Sequence, residues 1–218
     1  MKLIERKLKY KAHRVKVYED KLTTPDGETV YYDYVENRNG SGVLLIDNEG
    51  KLLFVKQYRN SLNDVDIEIP AGCAEVHDFS DKDSEMNKLS DDELNKNTDI
   101  RSRNASEFTR ENFENTENPY YICALREAEE ETGFVPKTLF FVNYIIASVG
   151  LFSERTAVYI GIDLIRGKEN PDSDEFIDLV RLSLEDALAL IYDGTLKDSK
   201  TILAILAYKD LKERKIIL

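Results

Sequence analysis

The sequence predicts an α/β fold: an α/β/α sandwich with a mixed sheet, preceded by an N-terminal antiparallel β-hairpin region. Three observations carry this. Strand-like apolar runs recur between residues 12 and 182, alternating near the N-terminus and continuous further on. Helical patterns bounded by capping residues follow at 118–133 and 183–213. The two kinds of segment interleave, which places helices on the faces of a sheet rather than in a separate bundle. Residues 1–38 read as a β region, and 39–218 as the main domain with a polar insertion at 76–117.

The elements follow in order. Ala12 to Tyr18 and Glu28 to Val35 flank Thr24-Pro25-Asp26-Gly27, in which Pro presets φ and Gly accepts φ > 0, so this is a hairpin. Tyr31, Tyr32 and Tyr34 on its second strand suit stacking on a base or ribose, or packing against a partner sheet. Gly42 to Asp47 and Lys51 to Arg59 are joined by Asn48-Glu49-Gly50, a second hairpin whose near-continuous hydrophobicity suits a central sheet position. Asp66 to Pro70 is a short strand ended by Pro70 and Gly72. From residue 76 to 117 apolar periodicity disappears. Twelve acidic residues stand there against six basic ones, and such a segment buries too little apolar surface to offset its ordering entropy, which predicts a mobile insertion.

Order resumes at Asn118-Pro119, an N-cap followed by a favoured first helical residue, and Gly133 fits the left-handed C-terminal position. Ile122, Leu125 and Ala128 form the expected buried stripe of this helix. Lys137 to Ser148, Thr156 to Leu164 and Phe176 to Leu182 read as strands, with the loop Val149 to Glu154 between the first two. Ser183 with Asp186 caps a helix over Leu184 to Tyr192 that Gly194 stops, and Ser199 to Glu213 is amphipathic.

Composition bounds the partners. The chain has 218 residues, 42% hydrophobic and 33% charged, which suits one domain of ordinary size, or a domain plus an appendage. A formal charge of -12 argues against a general binder of nucleic acid or anionic membranes. The first residues, Met1 to Leu8, are too charged for a signal peptide, and no apolar run approaches the ~18 residues of a membrane span, so the expected location is cytoplasmic. Cys73 and Cys123 form no C-x-x-C pair, and with two His they do not suggest structural zinc. They read as buried inert thiols, or as two thiols that meet in space.

The stretch with most chemical content is Arg126 to Phe134, R-E-A-E-E-E-T-G-F. Glu127, Glu130 and Glu131 share one helix face, because positions i, i+3 and i+4 lie one above another. Alone, such a run is most simply a solvated acidic face; oxygen donors this close also suit a hard divalent cation, which would remove their repulsion. The backbone at Ile69-Pro70-Ala71-Gly72, lined by small residues, can bring a carbonyl to a cation without a side chain intruding. Glu154 on its loop is a further carboxylate, and Arg59 at a strand end is an available anion clamp.

At these residues the chain resembles the Nudix hydrolases, whose signature is G-x5-E-x7-R-E-U-x-E-E-x-G-U. Arg126 to Phe134 match its second half, with the small Ala128 at one apolar position, and Gly72 matches the opening Gly. About fourteen positions separate that Gly from the Arg in the family; here 54 do, and the polar insertion accounts for the excess. The stretches Phe54 to Arg59, Ile69 to Gly72, Ser148 to Glu154 and Gly194 to Thr201 resemble the ADP-ribose pyrophosphatase branch. The resemblance implies that Glu127, Glu131 and the Ala71 carbonyl hold Mg²⁺, or Mn²⁺, with Glu130 close by. It implies that Glu154 orients or deprotonates the attacking water, that Arg59 holds a phosphate, and that Gly72, Arg126 and Gly133 are structural. The chain departs from the pattern at the first signature Glu: Asn118 stands eight residues before Arg126, Glu117 is one position early, and Asp78 lies six after Gly72.

The implied reaction is hydrolysis of ADP-ribose to AMP and ribose 5-phosphate. Alternatives are another nucleoside diphosphate sugar such as GDP-mannose, or a Nudix-like sensor that binds nucleotide without cleaving it. A homodimer through the N-terminal strands is implied as well, and neither nucleic acid nor membrane is an expected partner.

Overall fold

The structure is a computed structural model, and it describes residues 1–74, 118–168, 170 and 176–217. The proposed insertion at 76–117 lies outside the described residues. Among those described, two sheets and three helices form. The N-terminal sheet has three antiparallel strands in the order β1-β2-β3: β1 (Lys2–Lys11), β2 (Lys16–Thr23) and β3 (Thr29–Glu36). The predicted hairpin is β2–β3, turning at Gly27 with φ 92°, but its first strand is Lys16–Thr23 rather than Ala12 to Tyr18, because residues 12–15 form the turn between β1 and β2. Strand β1 was not anticipated, because its lysines and arginine mask a short alternation of Leu8 and Tyr10 with Lys7, Lys9 and Lys11. Arg6 anchors it: its guanidinium makes two hydrogen bonds of 2.7 Å to the buried Asp20 carboxylate and lies 3.5 Å from the centre of the Tyr34 ring.

The main sheet is mixed. It contains β4 (Gly40–Ile46), β5 (Leu52–Arg59), β6 (Asp64–Glu68), β7 (Ala71–Cys73), β8 (Phe134–Ile145), β9 (Thr156–Arg166) and β10 (Asp178–Leu182). The path runs β10-β5-β4-β9-β8, with β6 beside β5 and β7 beside β4; β4 and β9 are parallel, and the other pairs antiparallel. Strand β8 starts directly after Gly133 and accommodates Pro136, which an edge strand tolerates because its missing N–H faces no neighbour. The segment ending at Pro70 resolves into β6 and the separate β7, with the Pro70 carbonyl accepting from the Val43 N–H at 2.9 Å.

Period-two alternation in β4 and β9 separates two apolar layers. Leu44, Ile46, Val158 and Ile160 face α2 (Leu184–Tyr192) and α3 (Ser199–Glu213), packing with Ala187, Ala204, Ile205 and Tyr208. Val43, Leu45, Ala157 and Tyr159 face α1 (Pro119–Thr132). Both C-terminal helices are capped: Ser183 Oγ accepts from the Asp186 N–H at 3.0 Å, and Asp198 from the Thr201 N–H at 2.9 Å. The result is the expected α/β/α sandwich with an additional antiparallel sheet.

Candidate active site

Helix α1 carries most of the site. Its start is fixed by Asn118, whose side-chain oxygen accepts from the Tyr120 N–H at 3.0 Å, and its end by Gly133 at φ 69°. The buried face is Tyr120, Cys123, Ala124, Glu127, Ala128 and Glu131. This is displaced from the expected stripe, since Ile122 and Leu125 are only half-buried. The small side chains of Ala124 and Ala128 let the helix pack closely on Val43 and Leu45, so the turn-spaced carboxylates, not the larger aliphatics, complete the inward face.

Burying two carboxylates is costly unless polar groups or cations surround them. Glu127 is 8% exposed and Glu131 2%. The Ala71 N–H donates to Glu131 Oε2 at 3.1 Å. Glu127 lies directly against Gly72: a Cβ added there would fall 2.0 Å from Glu127 Oε1, so the carboxylate occupies space that any other residue would fill. Arg126 Nη1 lies 2.8 Å from Glu127 Oε1 and 3.0 Å from Glu130 Oε2, while Nη2 donates to the Cys73 carbonyl at 3.1 Å. The arginine therefore ties α1 to β7 across the insertion point. Asp78 and Glu117, the acids nearest to where the signature places its first Glu, lie outside the described residues.

The residues present fit a hard divalent cation in donor type: two buried carboxylates one turn apart beside an uncluttered backbone strand. No group of three or more His, Cys, Asp or Glu side chains among the described residues could hold a metal by itself. A cation here would complete its shell with carbonyl, water and substrate oxygens, as Mg²⁺ commonly does.

Beside the helix carboxylates lies a charged cluster that the sequence reading touched only at Arg59. Arg59 Nη2 donates to Glu68 Oε2 at 3.0 Å, Nε donates to the other oxygen, and Lys200 Nζ also bonds Glu68. Lys200 is held in addition by Asp198 at 3.0 Å. Burial works against each charge. Even so, the Glu68 carboxyl is held below its usual range by Arg59 and Lys200, and the Lys200 ammonium is raised by Asp198 and Glu68. Arg59 is likewise raised: burial is the largest single effect and lowers it, but the bond to Glu68 and the charges of Glu68, Glu131 and Asp198 together outweigh it. Arg59 thus stands beside the site, seated in a bidentate pair. Glu68 and Lys200 belong to the motifs Glu68-Ile-Pro-Ala-Gly and Asp-Ser-Lys-Thr201, but a lone Glu before Pro and a Lys inside a helical pattern carry no local sign of pairing.

Glu154 follows the turn after β8. Asn37 Nδ2 donates to Glu154 Oε2, and Thr156 Oγ1 donates to Oε1 at 3.3 Å. Cys73 on β7 is a thiol raised by burial, with the charges of Arg14 and Arg38 opposing those of Glu154 and Glu127 on it. The fold therefore brings Glu127 against Gly72 and Arg126, Glu130 against Arg126, and Glu131 against the Ala71 amide, while Arg59 is paired with Glu68 and Glu154 with Asn37 and Thr156.

Comparison with known proteins finds relatives that span most of the chain. The chain is 29% identical over 201 residues to an ADP-ribose pyrophosphatase of Bacillus subtilis (strain 168), covering 91% of this chain and 86% of that protein. It is 31% identical over 202 residues to a methanol dehydrogenase activator of Bacillus methanolicus, with the same coverages. Its fold resembles a crystal structure of an ADP compounds hydrolase with a TM-score of 0.69 and 16% identity, over 99% of this chain and 96% of that one. No family model matches the chain. The signature residues, the mixed sheet between helices and these relatives together show that the chain belongs to the Nudix hydrolase family, in its ADP-ribose pyrophosphatase-like group.

Proposed function

We propose that this protein hydrolyses the pyrophosphate bond of ADP-ribose, yielding AMP and ribose 5-phosphate, with Mg²⁺ or Mn²⁺ as cofactor. The observation that carries the reading is the pair Glu127 and Glu131, buried one helical turn apart against Gly72 and the Ala71 amide. The name of the Bacillus subtilis relative supports the choice of ADP-ribose. When bound, the cation would neutralise charge on the pyrophosphate and ease ionisation of the attacking water. Glu127, Glu131 and the Ala71 carbonyl would hold it, with Glu130 close by. Arg126 keeps α1 against β7, so the helix carboxylates do not drift from Gly72. Glu154 takes the proton of the attacking water, and Arg59, pre-oriented by Glu68, offers positive charge to a substrate phosphate. In the same reading two chains pair through the N-terminal sheet, which exposes Leu3, Ile4, Leu8 and Tyr10.

The deciding experiment is steady-state hydrolysis of ADP-ribose, GDP-mannose, UDP-glucose, NADH and dinucleoside polyphosphates with each metal, repeated with Glu127→Gln and Glu131→Gln. Preferential ADP-ribose cleavage that falls by orders of magnitude in both variants is expected. Binding without turnover under both metals would overturn the enzyme reading. The likeness to a methanol dehydrogenase activator favours a second reading, action on a dehydrogenase. Stimulation of a methanol dehydrogenase by this protein, without turnover of any member of the panel, would establish that reading instead.

A further inference from the structure

The segment joining the two sheets runs alongside the Glu154 loop and brackets it. Before Glu154, the Val35 N–H donates to the Leu151 carbonyl at 2.8 Å, and the Ser153 N–H to the Val35 carbonyl at 3.0 Å. After it, the Arg155 N–H donates to Asn39 Oδ1 at 2.9 Å, and the Gly40 N–H to the Arg155 carbonyl at 3.0 Å. Glu154 is thus held by its backbone neighbours at two points. Those bonds alone leave its side chain free to swing about its own torsions.

Asn37 lies between the two tethers. Its own N–H donates to Ser153 Oγ at 3.3 Å, and its Oδ1 accepts from the Arg38 N–H at 2.9 Å. The second bond settles which end of the amide is which: with Oδ1 occupied by a backbone donor, Nδ2 is the end that meets Glu154 Oε2. Thr156 Oγ1 takes the other oxygen from the first residue of β9. Both carboxylate oxygens are therefore approached by neutral donors, each fixed to a strand end. A neutral donor orients a carboxylate without neutralising it, which a base requires and which an arginine or lysine in the same place would work against. The opposite flank of the same segment fixes β7, where the Ala74 N–H donates to the Asn39 carbonyl at 2.9 Å.

We propose that Asn37 is a positioning residue for Glu154: its side-chain amide holds the carboxylate in the orientation needed to receive the proton of the attacking water. This rests on the assignment of Glu154 as the base in the proposed hydrolysis. Asn37→Asp is the sharpest substitution, because it keeps the volume and the Oδ1 acceptor for Arg38 but replaces the donor by a second carboxylate. Asn37→Ala removes the donor, together with the Oδ1 acceptor for Arg38, without adding charge.

The test is ADP-ribose hydrolysis with saturating Mg²⁺ by Asn37→Asp, Asn37→Ala, Glu154→Gln and the Asn37→Asp/Glu154→Gln pair, alongside thermal melting of each. The expected result is that kcat falls about 10- to 100-fold in Asn37→Ala and further in Asn37→Asp, with KM and Tm close to those of the parent. In the Glu154→Gln background, Asn37→Asp has no further effect on kcat. Parent kcat in both Asn37 variants would overturn the inference, as would equal losses in the presence and absence of Glu154. A fall in Tm that accounts for lost activity in Asn37→Ala and Asn37→Asp alike would also overturn it, assigning Asn37 to structure alone. Full turnover in Glu154→Gln would remove the base assignment itself, an outcome separable from the others because it is read without touching Asn37.

Discussion

Gly72→Ala is expected to separate activity from stability. The added Cβ would lie 2.0 Å from Glu127 Oε1, 2.3 Å from its Cδ and 2.7 Å from Oε2. Ordinary van der Waals contact would require the nearer oxygen to retreat by about 1.4 Å. The obstructing atoms are the far end of a flexible side chain, so the fold can adapt by a rotamer change. Gly72 is not among the glycines with positive φ, and the alanine even limits the unfolded chain, a gain of about 0.4–1 kcal/mol. Displacement of a catalytic ligand by about 1 Å costs on the order of 100-fold. The expected outcome is kcat/KM for ADP-ribose reduced at least about 100-fold at fixed Mg²⁺, with Tm changed by less than about 3 °C. Gly40→Ala is the control: its Cβ would fall 2.5 Å from the Gly72 carbonyl oxygen, a backbone atom that cannot step aside, so that variant should lose stability first. Parent activity in Gly72→Ala would refute the placement of Glu127 as a ligand. Parallel loss of melting temperature and activity would refute the claim that the contact is functional.

Glu68→Gln should leave Arg59 and Lys200 sharing a neutral amide in a largely buried site, costing about 3 kcal/mol, or about 6–12 °C in Tm by differential scanning calorimetry. The sign with pH follows from the shifts. Glu68 is depressed, so its contribution is present above the usual carboxylate range and is lost as pH falls through its lowered folded value; Lys200 is raised, so its contribution is present below the usual lysine range and is lost as pH rises through its raised folded value. A stability profile of the parent that is not flatter near neutrality than at both extremes would contradict this. Arg6→Ala should strip the buried Asp20 of its guanidinium and loosen β1 by about 1–3 kcal/mol, seen as faster amide exchange in residues 2–11. Removal of divalent cations with EDTA should abolish ADP-ribose turnover, and added Mg²⁺ should restore it; turnover that persists in EDTA would refute the cofactor assignment.

Much of the main domain was legible because its determinants are local. The near-continuous apolar runs of β4 and β5, the β-rich run of β9, the Pro-Asp-Gly turn, and the caps at Asn118, Ser183 and Gly133 each declare an element within a few residues. Strand β1 was not, since it buries almost nothing within one chain and its register depends on Arg6 finding Asp20, 14 residues away. The inward face of α1 was misjudged for a related reason. Hydrophobic patterning assumes that the larger aliphatics face the core, whereas here two alanines bring the helix close and two glutamates, with Tyr120 and Cys123, share the inward face in place of Ile122 and Leu125. The roles of Glu68 and Lys200 depend on a contact between residues 132 positions apart, which no spacing rule reaches.

The separate mounting of the carboxylates has a mechanical consequence. Glu127 and Glu131 ride on α1, which is fixed to the main sheet through Val43, Leu45 and the Arg126 bridge to β7. Glu154 sits on a loop stitched on one side to the end of β3, a strand of the N-terminal sheet, by the Val35 and Asn37 bonds, and on the other to the starts of β4 and β9 through Arg155 and Thr156. Disturbing the N-terminal sheet should therefore reach Glu154, the proposed base, before it reaches Glu127 and Glu131, the proposed cation ligands. Val35→Gly is suited to show this: Val35 is buried, and glycine keeps its two backbone bonds to residues 151 and 153 while loosening the strand end that presents them. Its kcat should fall about tenfold while the Mg²⁺ concentration giving half-maximal activity stays within about twofold of the parent, as measured by metal titration. A shift in metal dependence as large as the loss of kcat would mean that the N-terminal sheet supports both halves of the site together, and that Glu154 is not mounted independently.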